Sequence, residues 1–386
     1  MSARAIVPRI LVTNFGGGAF VVNGRCFVRL RIVVGVAVVA LLMGGAGFAR
    51  AQSPAFSQVV VLGDSLSDNG NLFAATGLPP APYYWQGRAS NGPVPVEYLA
   101  ERLGVLLYDF AWAGATTGVG NAVDDGTVDT FGSSSLPGMT TVFQGALSAG
   151  LFPIDPDALY VVWGGPNDFW NVTDQASASV AVQKAVANLV TMVGQLQSLG
   201  ARQILVLNLP DLGRIPAFEA GGPAVSYFFT KVSMGFNNAL KGSLPPGVRY
   251  FDAFAWMSGI VANPAAYGFT NVTEACRTVS SICANPAGYF FWDSEHPTTA
   301  AHSVLADAVL GSLGQTVVIG GCDSGVPDVL AGGGFTMSEL IGQAAAGARN
   351  HGQFVSGVAS ITNGLVAGGV ITGKEKGAIQ GCAGKY

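Results

Sequence analysis

The sequence predicts an α/β protein whose mostly parallel sheet is covered by helices on both faces, and three observations predict it. Short apolar runs recur at residues 58–62, 105–110, 158–163, 203–207 and 248–251. Several of them lack polar alternation, as strands buried on both faces do. Between the runs lie helix-like segments, clearest over residues 179–199, where Val182, Val186, Leu189, Val193 and Leu196 fall at three- and four-residue spacing. Alternation of the two patterns implies parallel strands joined by crossover helices. In such sheets the active crevice lies beyond the carboxyl ends of the strands, so the polar residues that follow each run are the first candidates for function.

The leader, residues 1–51, is of a different kind. Arg25, Arg29 and Arg31 precede an apolar run over residues 32–48, and Ala49-Arg50-Ala51 supplies small residues at the cleavage spacing, the build of a secretory signal peptide. Gly35, Gly44, Gly45 and Gly47 interrupt the run, which is short for the roughly 20 residues of a membrane span. Cleavage near Ala51 predicts a secreted, periplasmic or extracellular protein without a stable membrane span. Residues 52–320 then read as one α/β domain, with loop-like stretches at 115–137 and 263–289. Residues 321–386 are Gly/Ala-rich and look helical around 337–365, which predicts a small appended module.

Composition excludes several function classes. Only 11% of the 386 residues are charged, against a usual quarter, so the surface is built from small uncharged polar groups, as suits an exported chain. The net charge of −4 carries no basic run, which leaves nothing to recruit nucleic acid or anionic lipid. Loss of the leader removes Cys26 and leaves Cys276, Cys283, Cys322 and Cys382, an even number for an oxidising compartment. Three pairings are open, of which the local one, 276 with 283 and 322 with 382, is the simplest. No Cys/His cluster suggests a metal, and neither a metal nor an organic cofactor is expected.

The stretch "VVVLGDSLSDNGN" at residues 59–71 runs from a strand into a cluster of serines and acids. Ser65 there is either a cap for a following helix or a hydroxyl delivered to a reaction where backbone amides converge. Only three histidines exist, His296, His302 and His351. His296 follows Asp293 by three residues and precedes Pro297, so the carboxylate can turn onto the ring and hold one tautomer, leaving the other nitrogen free as a base. Gly114 in "FAWAGATTG" and Asn167 in "VVWGGPNDFW" each offer an uncharged amide donor, the kind of group that completes an oxyanion hole. The G-x-S-x-G elbow of α/β-hydrolases is absent from the sequence.

Taken in order, Gly63-Asp64-Ser65-Leu66-Ser67-Asp68, Gly114, Gly165-Pro166-Asn167-Asp168 and Asp293-x-x-His296-Pro297 resemble the four signature blocks of the GDSL lipase/esterase family, the SGNH hydrolases. Further similarity lies in "GRASNG", "NLPDLGRIP" and "YGFTNVTEAC", and the likeness spans residues 56–315. Asp109 departs from the pattern, where relatives often carry Asn. The resemblance implies a three-layer α/β/α sandwich with a flavodoxin-like sheet. It also implies roles: Ser65 as nucleophile, His296 as base, Asp293 as its orienting partner, and the Ser65 amide, the Gly114 amide and the Asn167 side chain as oxyanion donors. Asp64 and Asp68 are expected to shape the turn. His302, Asp168 and Arg88 are read as structural.

These residues point to a secreted serine esterase or lipase that hydrolyses acyl esters through an acyl-enzyme on Ser65. A polysaccharide O-acetyl esterase would use the same site, and a cell-surface binding module with a vestigial site is the non-enzymatic alternative. Retention of all five site positions argues against the latter. Aromatic residues adjoin every block: Tyr83, Tyr84, Trp85, Trp112, Phe169, Trp170, Phe290, Phe291 and Trp292. At least half of them are expected to be ordinary core; the others are expected to line an acyl groove for a small-molecule or lipid-like ester rather than a sugar-stacking platform, since the same segments supply few charged or amide side chains to grip hydroxyls.

Overall fold

Val59, Val60, Val61 and Leu62 are β-branched or branched residues without a polar face, and in the computed structural model they form β1 (Gln58–Gly63), buried along nearly its whole length. The structure describes residues 56–130, 132 and 135–386; the leader, its cleavage site and Cys26 lie outside the described residues. The other four apolar runs are also strands: β2 (Leu106–Asp109), β3 (Leu159–Trp163), β4 (Gln203–Leu207) and β5 (Arg249–Phe251). All pairings are parallel, with Val59 opposite both Leu107 and Leu159. The order β2-β1-β3-β4-β5 is the flavodoxin-like one, in which chain direction along the sheet reverses beside β1 and opens a crevice there.

Around the sheet run α1 (Asn71–Thr76), α2 (Pro95–Leu103), α3 (Met139–Ser148), α4 (Gln175–Ser198), α5 (Pro216–Glu219), α6 (Pro223–Ser243), α7 (Ala253–Ala262) and α8 (Thr299–Leu313). The two-residue period of the strands feeds two cores. Val60, Leu62, Tyr160, Val162 and Ile204 pack with α3, α4 and α6, while Val59, Val61, Leu159, Val161 and Leu205 pack with α2 and α8. The result is a three-layer α/β/α sandwich. Helix α4 starts four residues earlier than its apolar stripe suggests, because Asp174 accepts a hydrogen bond from the Ser177 amide and caps it. Among the described residues α4 is the one helix long and apolar enough to cross a membrane; its Leu189, Val193 and Leu196 are spent on the sheet.

The stretch read as a loop at 263–289 contains β6 (Asn271–Ala275), which pairs in parallel with β7 (Tyr289–Phe291) outside the main sheet. Cys276 and Cys283 are bonded just beyond β6. The tail contains a hairpin of β8 (Thr316–Ile319) and β9 (Cys322–Pro327), whose first strand precedes residue 320. A second short pair, β10 (Leu330–Gly332) and β11 (Phe335–Thr336), follows it, and then α9 (Met337–Gly347), α10 (His351–Ala367) and α11 (Gly373–Ala383). Val317, Ile319, Met337, Ile341, Phe354, Val358 and Ile379 form a hydrophobic cluster of their own, closed by Cys322–Cys382. Leu330 turns back into the main core, its backbone bonded to Val248 and Gly247.

Candidate active site

Ser65 stands two residues past the carboxyl end of β1, in a tight turn where the Ser67 and Asp68 amides both donate to the Asp64 carbonyl. The sequence suggests a helix directly behind Ser65, but α1 begins only at Asn71. The reason is Asp68. Its buried carboxylate accepts from the Gly70, Asn71, Leu72 and Ala113 amides at 2.6–3.1 Å, so it occupies the helix start and ties the turn to the loop after β2. Asn71 donates to the Asp109 and Ala111 carbonyls and completes the tie. Asp109 itself accepts from the Asn69 and Ala111 amides, a backbone-holding part.

His296 arrives from the other end of the chain. Its Nε2 lies 2.9 Å from Ser65 Oγ, and its Nδ1 lies 3.0 Å from both carboxylate oxygens of Asp293. The structure thus brings Ser65, His296 and Asp293 together in one line, although Ser65 and His296 are 231 residues apart in the chain. Asp293 Oδ1 also accepts from the Glu295 and His296 amides, and Oδ2 accepts from the Tyr84 hydroxyl at 2.8 Å. Arg277 donates to that hydroxyl at 3.1 Å and lies over the rings of Tyr83 and Tyr84. The "GRASNG" block fastens the exit of this loop, with Ser90 donating to the Pro297 carbonyl and Asn91 accepting from the Thr299 amide. Pro297 stands just before the helix, and Thr298 caps α8 by accepting from the Ala301 amide.

The Ser65 and Gly114 amides donate to no acceptor among the described residues. Gly114 has φ +77, and a Cβ there would lie 2.3 Å from Asn121 Oδ1, so only glycine fits. Asn167 spends one amide hydrogen on the Ala115 carbonyl at 3.1 Å, and Trp170 Nε1 holds its oxygen at 3.2 Å; the second amide hydrogen remains to be donated. Both Gly114 and Asn167 face the cleft that Ser65 and His296 line. Of the three residues read as structural, Asp168 accepts from Thr117 and Arg88 pairs with Glu97. No group of three His, Cys, Asp or Glu among the described residues could hold a metal ion.

Electrostatics separate the members of the line. Burial works to raise the Asp293 carboxyl, but the facing His296 ring and the hydrogen bonds from the ring and the two amides outweigh it and bring it to about 2. Burial pulls the His296 ring down, and the Asp293 charge and hydrogen bond, with Glu295 and Asp64 behind them, carry it up to about 9. Burial lifts Asp64 to about 7. A hydroxyl within reach of an imidazole that a carboxylate holds in one tautomer is an arrangement in which the ring can take the hydroxyl proton.

Two compartments meet at this line. The outer cleft, of about 510 Å³, is walled by Leu72, Leu78, Pro79, Tyr84 and Val123. The inner one, of about 60 Å³, is walled by Leu212, Ile215, Trp256, Met257, Phe290 and Phe291. Ser65, Asn167, Trp170, Glu295 and His296 line both. Of the nine aromatics, Tyr84, Trp170, Phe290 and Phe291 face the compartments, Trp112, Phe169 and Trp292 are buried in the protein, and Tyr83 and Trp85 lie at the surface. Trp256, in α7, has no motif around it in the sequence to mark it. His302 also lines the inner compartment.

A family model described as GDSL-like Lipase/Acylhydrolase matches residues 59–309. The chain belongs to this family. Its GDSL-like domain is 29% identical to the phosphatidylcholine-sterol acyltransferase of Aeromonas hydrophila, over 58% of this chain and 66% of that protein. It is 28% identical to the thermolabile hemolysin of Vibrio parahaemolyticus, over 68% and 65%, so the chain spans about two thirds of the length of these two curated relatives. A GDSL esterase/lipase of Arabidopsis thaliana is 25% identical over 75% of this chain and 98% of that protein. Among solved structures, an acetylxylan esterase of Geobacillus stearothermophilus is similar at 14% identity, covering 67% of this chain and 95% of that one, with a TM-score of 0.38.

Proposed function

We propose that this GDSL-family protein is an exported carboxylic ester hydrolase that works through an acyl-enzyme on Ser65. The observation that carries the reading is the unbroken hydrogen-bonded line Ser65–His296–Asp293, which opens between two compartments beside three uncommitted N–H donors. Ser65 Oγ attacks the ester carbonyl while His296 Nε2 takes its proton, and Asp293 holds the ring and stabilises its positive charge. Negative charge on the carbonyl oxygen is met by the Ser65 amide, the Gly114 amide and the Asn167 side chain. The His296 proton then passes to the departing alcohol, and water enters by the same base to release the acid and restore Ser65. Export is supported by the two disulfides. The tail, with its own hydrophobic cluster and bridge, is proposed as a separate module docked on the hydrolase domain.

The test is a series of p-nitrophenyl esters from acetyl to palmitoyl, alongside acetylated xylan. Hydrolysis of the ester series that disappears in Ser65→Ala is the expected result. Strong release of acetate from xylan, with turnover lost beyond butyryl, would move the reading to a polysaccharide O-acetyl esterase. No hydrolysis of any of these esters would return it to a binding module.

A further inference from the structure

Away from the junction with the outer cleft, the wall of the inner compartment is largely apolar, and two of its residues carry a ring nitrogen without a partner. Trp256 from α7 and His302 from α8 both line it, beside Met257, Phe291 and Leu305. Trp256 Nε1 and His302 Nδ1 are each buried and make no hydrogen bond to the described residues. A buried polar atom left unpaired is costly, and two residues of one small cavity's wall each carry such an atom, which calls for a partner that reaches them from the cavity. Their chemistry narrows what that partner is. The indole N–H can only donate. The His302 ring is 1% exposed and is pushed by burial, with His296 adding to it, to about 3, so it is neutral and can donate or accept. A carbonyl oxygen suits both, and a hydroxyl can accept from one and donate to the other. No Lys or Arg lines the compartment to meet an anion, and its one carboxylate, Glu295, belongs to the junction with the outer cleft.

Which half of an ester enters follows from enclosure. Met257 is 1%, Phe290 3% and Phe291 1% exposed, whereas Leu78 and Val123 of the outer cleft are 46% and 49% exposed. In an acyl-enzyme cycle the alcohol leaves and water takes its place while the acyl group stays attached, so the open cleft serves alcohol and water and the enclosed one the acyl chain. Its volume of about 60 Å³ admits on the order of four to six water-sized groups, at about 10–15 Å³ each. We propose that the inner compartment is an acyl subsite selecting short acyl groups that carry a neutral oxygen, a hydroxyl or keto group a few bonds from the ester carbonyl, read by Trp256 Nε1 and His302 Nδ1. This rests on the ester hydrolase reading above.

The experiment compares kcat/KM for matched p-nitrophenyl esters: butanoate with 3-hydroxybutanoate, and pentanoate with 4-oxopentanoate, each divided by its alkaline hydrolysis rate. The wild-type protein is expected to favour at least one oxygenated member by about tenfold or more, the order expected for a buried neutral hydrogen bond. That ratio should fall toward one in Trp256→Phe and in His302→Phe. Because the readout is a ratio, a general loss of activity does not mimic the effect, and the half-buried Trp256 provides a variant should His302→Phe fail to fold. A wild-type ratio near one in both pairs, or a high ratio that neither substitution moves, overturns the subsite while leaving the hydrolase reading intact. Failure to hydrolyse any of the four esters overturns both.

Discussion

The turn that carries Ser65 and the loop that carries His296 reach the same point by opposite means. Ser65 is an extension of the central sheet, and the buried Asp68 locks its turn to the neighbouring strand end through four amides. The His296 loop has no such footing. It leaves β7, which pairs with β6 in a two-stranded sheet apart from the main one, and it is held by the disulfide-closed segment through Cys276 and Arg277 amides donating to the Phe291 and Trp292 carbonyls. The Tyr84 hydroxyl, the "GRASNG" block and the Ala217 amide, which donates to the Ser294 carbonyl, add further ties. The difference teaches that the hydroxyl is positioned by the scaffold and the imidazole by a stapled accessory loop. Damage to staples should therefore act on the imidazole and spare the hydroxyl.

The comparison breaks first at its two ends. Ser65→Ala and His296→Ala should each lower ester turnover by on the order of 10⁴-fold or more while the protein stays folded, because the two groups act as one unit. Near wild-type turnover in either variant, measured on p-nitrophenyl acetate, would contradict the account. Asp293→Ala should cost less, on the order of 10³–10⁴, since that carboxylate orients and stabilises the ring without touching the substrate. Asn167→Ala removes a single oxyanion donor and should cost on the order of 10²–10³ in kcat.

A pH profile sharpens the comparison on the imidazole side. The ring must be neutral to accept the Ser65 proton, and its value is raised to about 9 by Asp293, Glu295 and Asp64 acting against burial. kcat/KM should accordingly rise with pH through about 9, and fall about tenfold per unit well below that. Glu295→Gln removes one of the charges that favour the protonated ring and should move the midpoint to lower pH. An unmoved midpoint would show that Glu295 does not act on the ring.

The two disulfides give the smallest effects and separate the regions most cleanly. Cys276 and Cys283 are 7 residues apart and Cys322 and Cys382 are 60 apart, so loop-closure entropy assigns them about 2–3 and about 4 kcal/mol respectively. Paired Cys→Ser substitution at 322 and 382 should lower the unfolding temperature more, yet leave kcat/KM unchanged. The same change at 276 and 283 should cost less stability but lower kcat/KM several-fold. Equal activity in the two double variants, compared by thermal melts and ester kinetics, would remove the staple from the account.

What the sequence revealed and what it hid follow from how each feature is encoded. The strands were legible because residues such as Val59–Leu62 have no polar face, a signature of burial on both sides. The residues at the strand ends were legible because Ser65, Gly114, Asn167, Asp293 and His296 stand in short blocks of distinctive chemistry. Tyr84 was read as a groove aromatic, because a hydroxyl that bonds a carboxylate 209 residues away leaves no local trace. His302 is read as structural because nothing beside it in the sequence marks a site, and only the fold places it on the inner compartment. Trp256, Leu212 and Met257 come from segments whose apolar pattern is that of ordinary core, so the inner compartment has no signature until the chain is folded. The hairpin in the tail escaped notice for a similar reason, since Gly and Ala carry little periodic contrast.

The central claim is that Ser65 becomes covalently acylated through His296. Its most direct test is exposure of the folded protein to diisopropyl fluorophosphate, followed by intact-mass measurement and peptide mapping. The account predicts a single adduct on the peptide containing Ser65, absent from Ser65→Ala and greatly slowed in His296→Ala, with ester hydrolysis lost in step with labelling. Full hydrolytic activity in an unlabelled protein, or an adduct on another residue that accounts for the loss, would contradict it.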